Sequence, residues 1–130
     1  MFTSVSKRIG IVLCLTIFFV ICDFVAMNSG LAVLNTHFVF GLFGTNLIAA
    51  LISLVALMLL WAIVWRYENA LWPLALISSA TLANIIDRLL YGGVVDYFKL
   101  PFIPTFNISD VMIVAGLIYI SKTLIFAKKS

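Results

Sequence analysis

Residues 84–110 read NIIDRLLYGGVVDYFKLPFIPTFNISD, and they hold Asp87, Asp96 and Asp110, three of only 5 acidic residues in a chain of 130. Two carboxyl groups brought face to face cannot easily both ionise, so one keeps a proton and the pair offers acid and base together. The ionised member can take a proton from water while the protonated member supports the charge growing on a carbonyl oxygen. Peptide-bond hydrolysis at a membrane surface is the reaction that fits, and Asp96 and Asp110 are the pair best placed for it. Asp96 follows Gly92-Gly93, which permit a tight turn, and has no helical task of its own there. Asp110 stands three residues after Asn107, the spacing of a helix start with an N-cap Asn and an acid at N3, so capping is an alternative reading of both residues. Asn84 shares a helix face with Asp87 and Arg88 at i, i+3 and i+4. Those two also read as the plain end of a helix, with Arg88 reaching up to lipid headgroups.

The elements that must carry these groups are membrane spans. The chain is 65% hydrophobic and 10% charged, with a mean hydropathy of +1.24, too apolar for a soluble domain of this length. Four apolar runs, Ile9 to about Met27, Leu47 to Trp65, Ala70 to Ile86 and Val111 to Ala127, each approach the ~20 residues a helix needs to cross ~30 Å of hydrocarbon. Strand-type alternation is absent, so an all-α membrane protein is expected, with four transmembrane helices making one domain over residues 1–130. The first run is long for a signal peptide and lacks an A-x-A site, so it reads as a retained span. Cys14 and Cys22 lie about 12 Å apart along that helix, too far to bridge, and read as apolar fillers.

Lys7, Arg8, Arg66, Lys122, Lys128 and Lys129 fall before span one, after span two and at or after the end of span four. The positive-inside rule then puts both termini in the cytoplasm, with outer loops near Asn28 to Asn46 and Asp87 to Asn107. Trp61, Trp65, Tyr67 and Trp72 form an aromatic belt at the inner turn. The net charge of +3 is therefore a topology signal, with nothing to suggest nucleic acid. Asp23, Asp87, Asp96 and Asp110 gather at the outer face, leaving Glu68 inside. Ionisable groups at membrane depth are costly and count as functional candidates by default. A small transporter would want such a group near the bilayer midplane, and the spans hold none there. The stretch from Phe98 to Phe106 is too apolar to float in water and reads as a lid lying along the outer membrane surface.

ANIIDR at 83–88, GGVVDY at 92–97 and FNISD at 106–110 resemble, in order and spacing, the N-x-x-D-R, G-x-V-x-D-[FY] and F-N-x-[AS]-D segments of the lipoprotein signal peptidase (signal peptidase II) family of bacterial membrane aspartyl proteases. LNTHFVFGLFG at 34–44 is similar to the family's outer-loop segment around an asparagine, and Asp23 stands where the family's first span ends in an acid. The resemblance implies that Asp96 and Asp110 are the catalytic dyad and that Asn35, Asn84, Arg88 and Asn107 position substrate and dyad. It makes Asp23 and Asp87 accessory or structural. It also implies a substrate, a prolipoprotein whose cysteine already carries diacylglycerol, cut just before that cysteine at the outer face of the cytoplasmic membrane. No metal or other cofactor is required, membrane lipids are the remaining partner, and a monomer is expected.

The departures bear on the same site. Ser79-Ala80-Thr81-Leu82-Ala83 replaces a glycine-rich approach to Asn84, His37-Phe38-Val39 replaces small residues, and Phe24 follows Asp23 in place of glutamine. His37 reads most simply as incidental. The first outer loop is short and leaves room for only a reduced β-like structure. A protein of this kind that serves, without proteolysis, as a lipid or lipoprotein binding or assembly factor is the alternative, and it has no need for both Asp96 and Asp110.

Overall fold

The computed structural model describes residues 2–36 and 46–127, with the side chains of residues 2 and 3 left aside. His37 lies outside the described residues. The chain forms α1 (Phe2–Asn28), β1 (Val33–Asn35), α2 (Asn46–Val64), a single 3-10 turn (Glu68–Ala70), α3 (Leu71–Tyr91), β2 (Val94–Asp96), β3 (Phe98–Leu100), β4 (Ile103–Phe106) and α4 (Ile108–Phe126). Among the described residues four helices are long and apolar enough to cross a membrane.

In the most apolar window of α3, 50% of residues are buried, against 17–22% in the other three helices. The third helix is therefore the central post on which α1, α2 and α4 each pack. Around its first half Leu74 and Ile77 meet Val64, Ala70 and Ile120. Further along, Ala80 and Ala83 receive Phe19 of α1. Gly116 sets the approach of α4 to α3: a Cβ there would lie 2.5 Å from Ile77 Cγ1, so any side chain would push the helices apart. The outward faces stay apolar, with Leu13, Leu51, Met58 and Ile118 more than half exposed, as lipid contact demands.

Two differences from the sequence expectation matter for the site. The third helix continues to Tyr91 instead of ending at Ile86, so Asp87 and Arg88 are helical and buried, and Arg88 does not reach out to the headgroups. Gly92 supplies the stop, in the left-handed region at φ 76° with its N–H on Arg88 O. The second outer loop, expected as a lid, holds three strands. β2 pairs antiparallel with β1 (Val33 opposite Asp96, Asn35 opposite Val94), and β3 pairs with β4. Strands of three or four residues are too short to show alternation in the sequence. The expected β-like element in the first outer loop is β1, and its partner comes from the second.

Candidate active site

The elements converge on the end of the bundle where α3 gives way to β2 and where α4 begins. Gly93 lets β1 and β2 close: a Cβ there would lie 2.7 Å from Asn35 O. The Val95 peptide is then gripped from both sides. Its N–H donates to Asp87 Oδ2 at 3.2 Å, and its carbonyl accepts from Asn107 Nδ2 at 3.1 Å. Asp96 is the next residue, so its direction is set by groups on α3 and at the start of α4.

The Asp96 side chain is 1% exposed. Its Oδ2 accepts from Asn35 Nδ2 at 3.0 Å and from the Thr105 hydroxyl at 3.5 Å. Its Oδ1 has no donor among the described residues. Burial pushes the Asp96 carboxyl up to about 6, and the charge of Asp110 pushes the same way, against the bonds from Asn35 and Thr105 and the positive charge of Arg88. Tyr97 beside it is pushed up to about 12 by burial, so its phenol stays neutral and accepts from Ile108 N–H at 3.2 Å.

Asp110 is held differently. Asn107 and Asp110 form a reciprocal capping box: Asp110 N–H donates to Asn107 Oδ1 at 2.9 Å, and Asn107 N–H donates to Asp110 Oδ2 at 3.1 Å. Asn84 Nδ2 donates to Asp110 Oδ1 at 3.2 Å, and Asn107 Nδ2 donates to Asn84 Oδ1 at 3.0 Å. Both oxygens of Asp110 therefore accept hydrogen bonds, and one chain of amides links Asp110 through Asn107 to the strand that carries Asp96. The capping reading holds, and it does not compete with a role in a site.

Asn35, Asn84, Arg88, Asp96 and Asp110 line one cavity of ≈ 490 Å³. Its remaining walls include Ile52, Leu57 and Leu60 of α2 and Ile113 and Leu117 of α4, so a polar end opens onto an apolar trench within the bundle. Arg88 is 8% exposed, donates to Asn46 Oδ1 at 3.1 Å, and its charge acts on Asp87, Asp96 and Asp110. Asn107 stands behind the wall. So do Asp23 and Asp87, both 0% exposed, with Asp23 on α1 set against the Asp87 carboxyl. The structure thus brings five sequence-designated residues to one cavity and leaves three as its backing.

Asn46 and Thr105 were not designated by the sequence. Asn46 takes the Arg88 guanidinium on Oδ1 and donates from Nδ2 to Gly92 O, tying α2 to the end of α3. A lone Asn at the edge of an apolar run reads as an ordinary boundary residue, and only the long-range pairing distinguishes it. Among the described residues no group of three or more His, Cys, Asp or Glu could hold a metal.

Comparison with known proteins bears on this geometry. A family model described as signal peptidase (SPase) II matches residues 4–126. A lipoprotein signal peptidase of Lactiplantibacillus plantarum is 41% identical over 76 residues, 54% of this chain and 50% of that one. That of Moorella thermoacetica is 38% identical over 91 residues, 65% of this chain and 59% of its own. The chain thus spans about half the length of the curated relatives it matches. A bacterial membrane enzyme solved by the in meso method at 2.3 Å superposes with a TM-score of 0.74, covering 96% of this chain and 93% of that one at 22% identity, a likeness of fold.

Proposed function

The chain belongs to the signal peptidase II family, and on that premise we propose that it is a membrane aspartyl endopeptidase that removes signal peptides from diacylglyceryl-modified prolipoproteins, cutting just before the lipidated cysteine. The observation that carries this reading is the convergence of Asp96 and Asp110 on one cavity whose polar end opens onto an apolar trench. A hydrolytic dyad needs two carboxyls in one electrostatic environment, and a lipid-bearing substrate needs an apolar approach to them.

The hydrogen bonds support different roles for the two carboxyls. Asp110 already accepts on both oxygens, whereas Asp96 Oδ1 has no donor among the described residues. The shared proton therefore sits on Asp96 Oδ1, and Asp110 is the base. A water between them gives a proton to Asp110 as its oxygen attacks the scissile carbonyl, while Asp96 donates its proton to the developing oxyanion. Collapse of the tetrahedral intermediate returns that proton to Asp96 and passes the one on Asp110 to the leaving nitrogen. Asn35 fixes Asp96, Asn84 and Asn107 fix Asp110, and Arg88 supplies positive charge beside both. Asp23 and Asp87 hold the scaffold, and the steps need neither metal nor cofactor.

Orientation follows from charge. Lys7, Arg8, Arg66 and Lys122 lie at the end of the bundle away from the dyad, which supports cytoplasmic termini and a site at the outer face of the bacterial cytoplasmic membrane. The protein acts as a monomer, with prolipoproteins and membrane lipids as its partners. The deciding assay gives the purified protein a diacylglyceryl-modified precursor and its unmodified form. Cleavage of the modified form alone is expected; equal cleavage of both would overturn the lipoprotein assignment, and cleavage of neither would favour a non-proteolytic binding or assembly factor.

A further inference from the structure

At the end of the bundle opposite the dyad, Arg66, Tyr67, Glu68 and Asn69 from the turn between α2 and α3 meet Tyr119 and Lys122 of α4 around a cavity of ≈ 660 Å³. Glu68, Asn69 and Tyr119 are also the rim of a second cavity, of ≈ 840 Å³, lined beyond them by Leu15 of α1, Trp72, Pro73 and Leu76 of α3, and Ala115 of α4. A charged basin thus opens directly onto an apolar groove between α1 and α4, both of which pack on α3. Arg8 stands in the groove's wall, and Leu15 lies about 10 Å further along the same helix. Nothing in the proposed hydrolysis uses either cavity.

The charges in the basin are mixed. Arg66 and Lys122 suit a phosphate, the first through its planar fork and the second as a point charge. Glu68 would repel a purely anionic headgroup but complements an ammonium. Interfacial cations are common in membrane proteins and would not make a site alone. Here they line a basin that shares Glu68, Asn69 and Tyr119 with a groove of the right polarity for an acyl chain, so an acid stands beside them.

We propose that this two-part cavity binds a phospholipid with a phosphoethanolamine headgroup: Arg66 and Lys122 hold the phosphate, Glu68 holds the ammonium, and one acyl chain fills the groove between α1 and α4. The lipid bridges α1 and α4 at the membrane face away from catalysis.

The test uses the full chain in detergent, with bound lipid read by native mass spectrometry and stability by thermal unfolding. The probes are dioleoylphosphatidylethanolamine, the matching phosphatidylglycerol, and soluble glycerophosphoethanolamine. The ethanolamine lipid is expected to be retained and to raise Tm more than the glycerol lipid, and the soluble headgroup is expected not to compete. Arg66→Ala and Lys122→Ala each weaken retention about fivefold. Glu68→Gln removes the preference for ethanolamine over glycerol, and Ala115→Phe, at an exposed position in the groove, lowers retention of both lipids. Precursor cleavage in lipid-free detergent stays unchanged in all four variants, which separates this site from the dyad. Equal retention of the two lipids by the unaltered protein, a preference that survives Glu68→Gln, or competition by the soluble headgroup would each overturn the proposal.

Discussion

The two β-ladders at the dyad end are built from strands of similar length and are treated in opposite ways. All of β2, Val94–Asp96, is buried, and its central peptide is held by Asp87 on one side and Asn107 on the other. All of β3, Phe98–Leu100, is exposed, and the turn after it puts Phe102 wholly in the open with φ 65°. A non-glycine residue in that region costs energy, and here the cost goes to presenting an aromatic ring outward. The contrast separates two tasks that adjoin in sequence. Fixing a carboxylate calls for satisfied polar groups and exclusion of water, whereas meeting a membrane or a lipid-bearing substrate calls for apolar surface with little packed behind it.

The contrast is broken most completely by removing the carboxyls. Asp96→Asn or Asp110→Asn is expected to lower cleavage by about 10²–10⁴-fold while the protein still inserts and folds; a normal rate for either variant would remove that residue from the dyad. Gly93→Ala comes next. Its Cβ would strike Asn35 O, so β1 and β2 must part, at a cost of about 1–3 kcal/mol, with a loss of cleavage larger than the loss of stability explains. Asn35→Ala sharpens the picture through pH. The bond donated by Asn35 favours the ionised form of Asp96, so losing it raises a pKa that already stands at about 6. In the proposed reaction Asp96 acts in its protonated form, so activity should fall as pH rises through that value, and the variant's alkaline limb in kcat/KM should move to higher pH. A downward move would contradict the assignment of the proton. The smallest effect belongs to the exposed ladder: Phe102→Gly should leave Tm within a few degrees and kcat unchanged while raising KM a few-fold for a membrane-embedded precursor.

Much of this was legible in the sequence because the relevant signals are strong and local. Long apolar runs declare spans whatever their neighbours do, and the Asn107–Asp110 spacing declares a helix start that the structure contains as a complete capping box. Asn35, Asn84 and Arg88 were legible through motif resemblance, and all three line the cavity with Asp96 and Asp110. What escaped depends on partners far away in the chain. The extension of α3 to Tyr91 follows from Gly92 serving as the cap, yet Gly92-Gly93 in sequence marks only a turn somewhere nearby. The pairing of β1 with β2 joins residues about 60 apart, between strands too short to carry a period. Asn46 has a role only because Arg88 and Gly92 come to it.

The grip on the Val95 peptide has a consequence for how the gene can vary. Side chains alternate along a strand, so adding or deleting one residue between Gly92 and Asp96 would turn the aspartate to the opposite face while the apolar composition stayed the same. Among the described residues no comparable clasp binds the turn at 101–102. Drift in loop length among functional descendants of this chain should therefore accumulate at that turn and stay almost absent ahead of Asp96, a pattern of insertions and deletions that records where register is under selection.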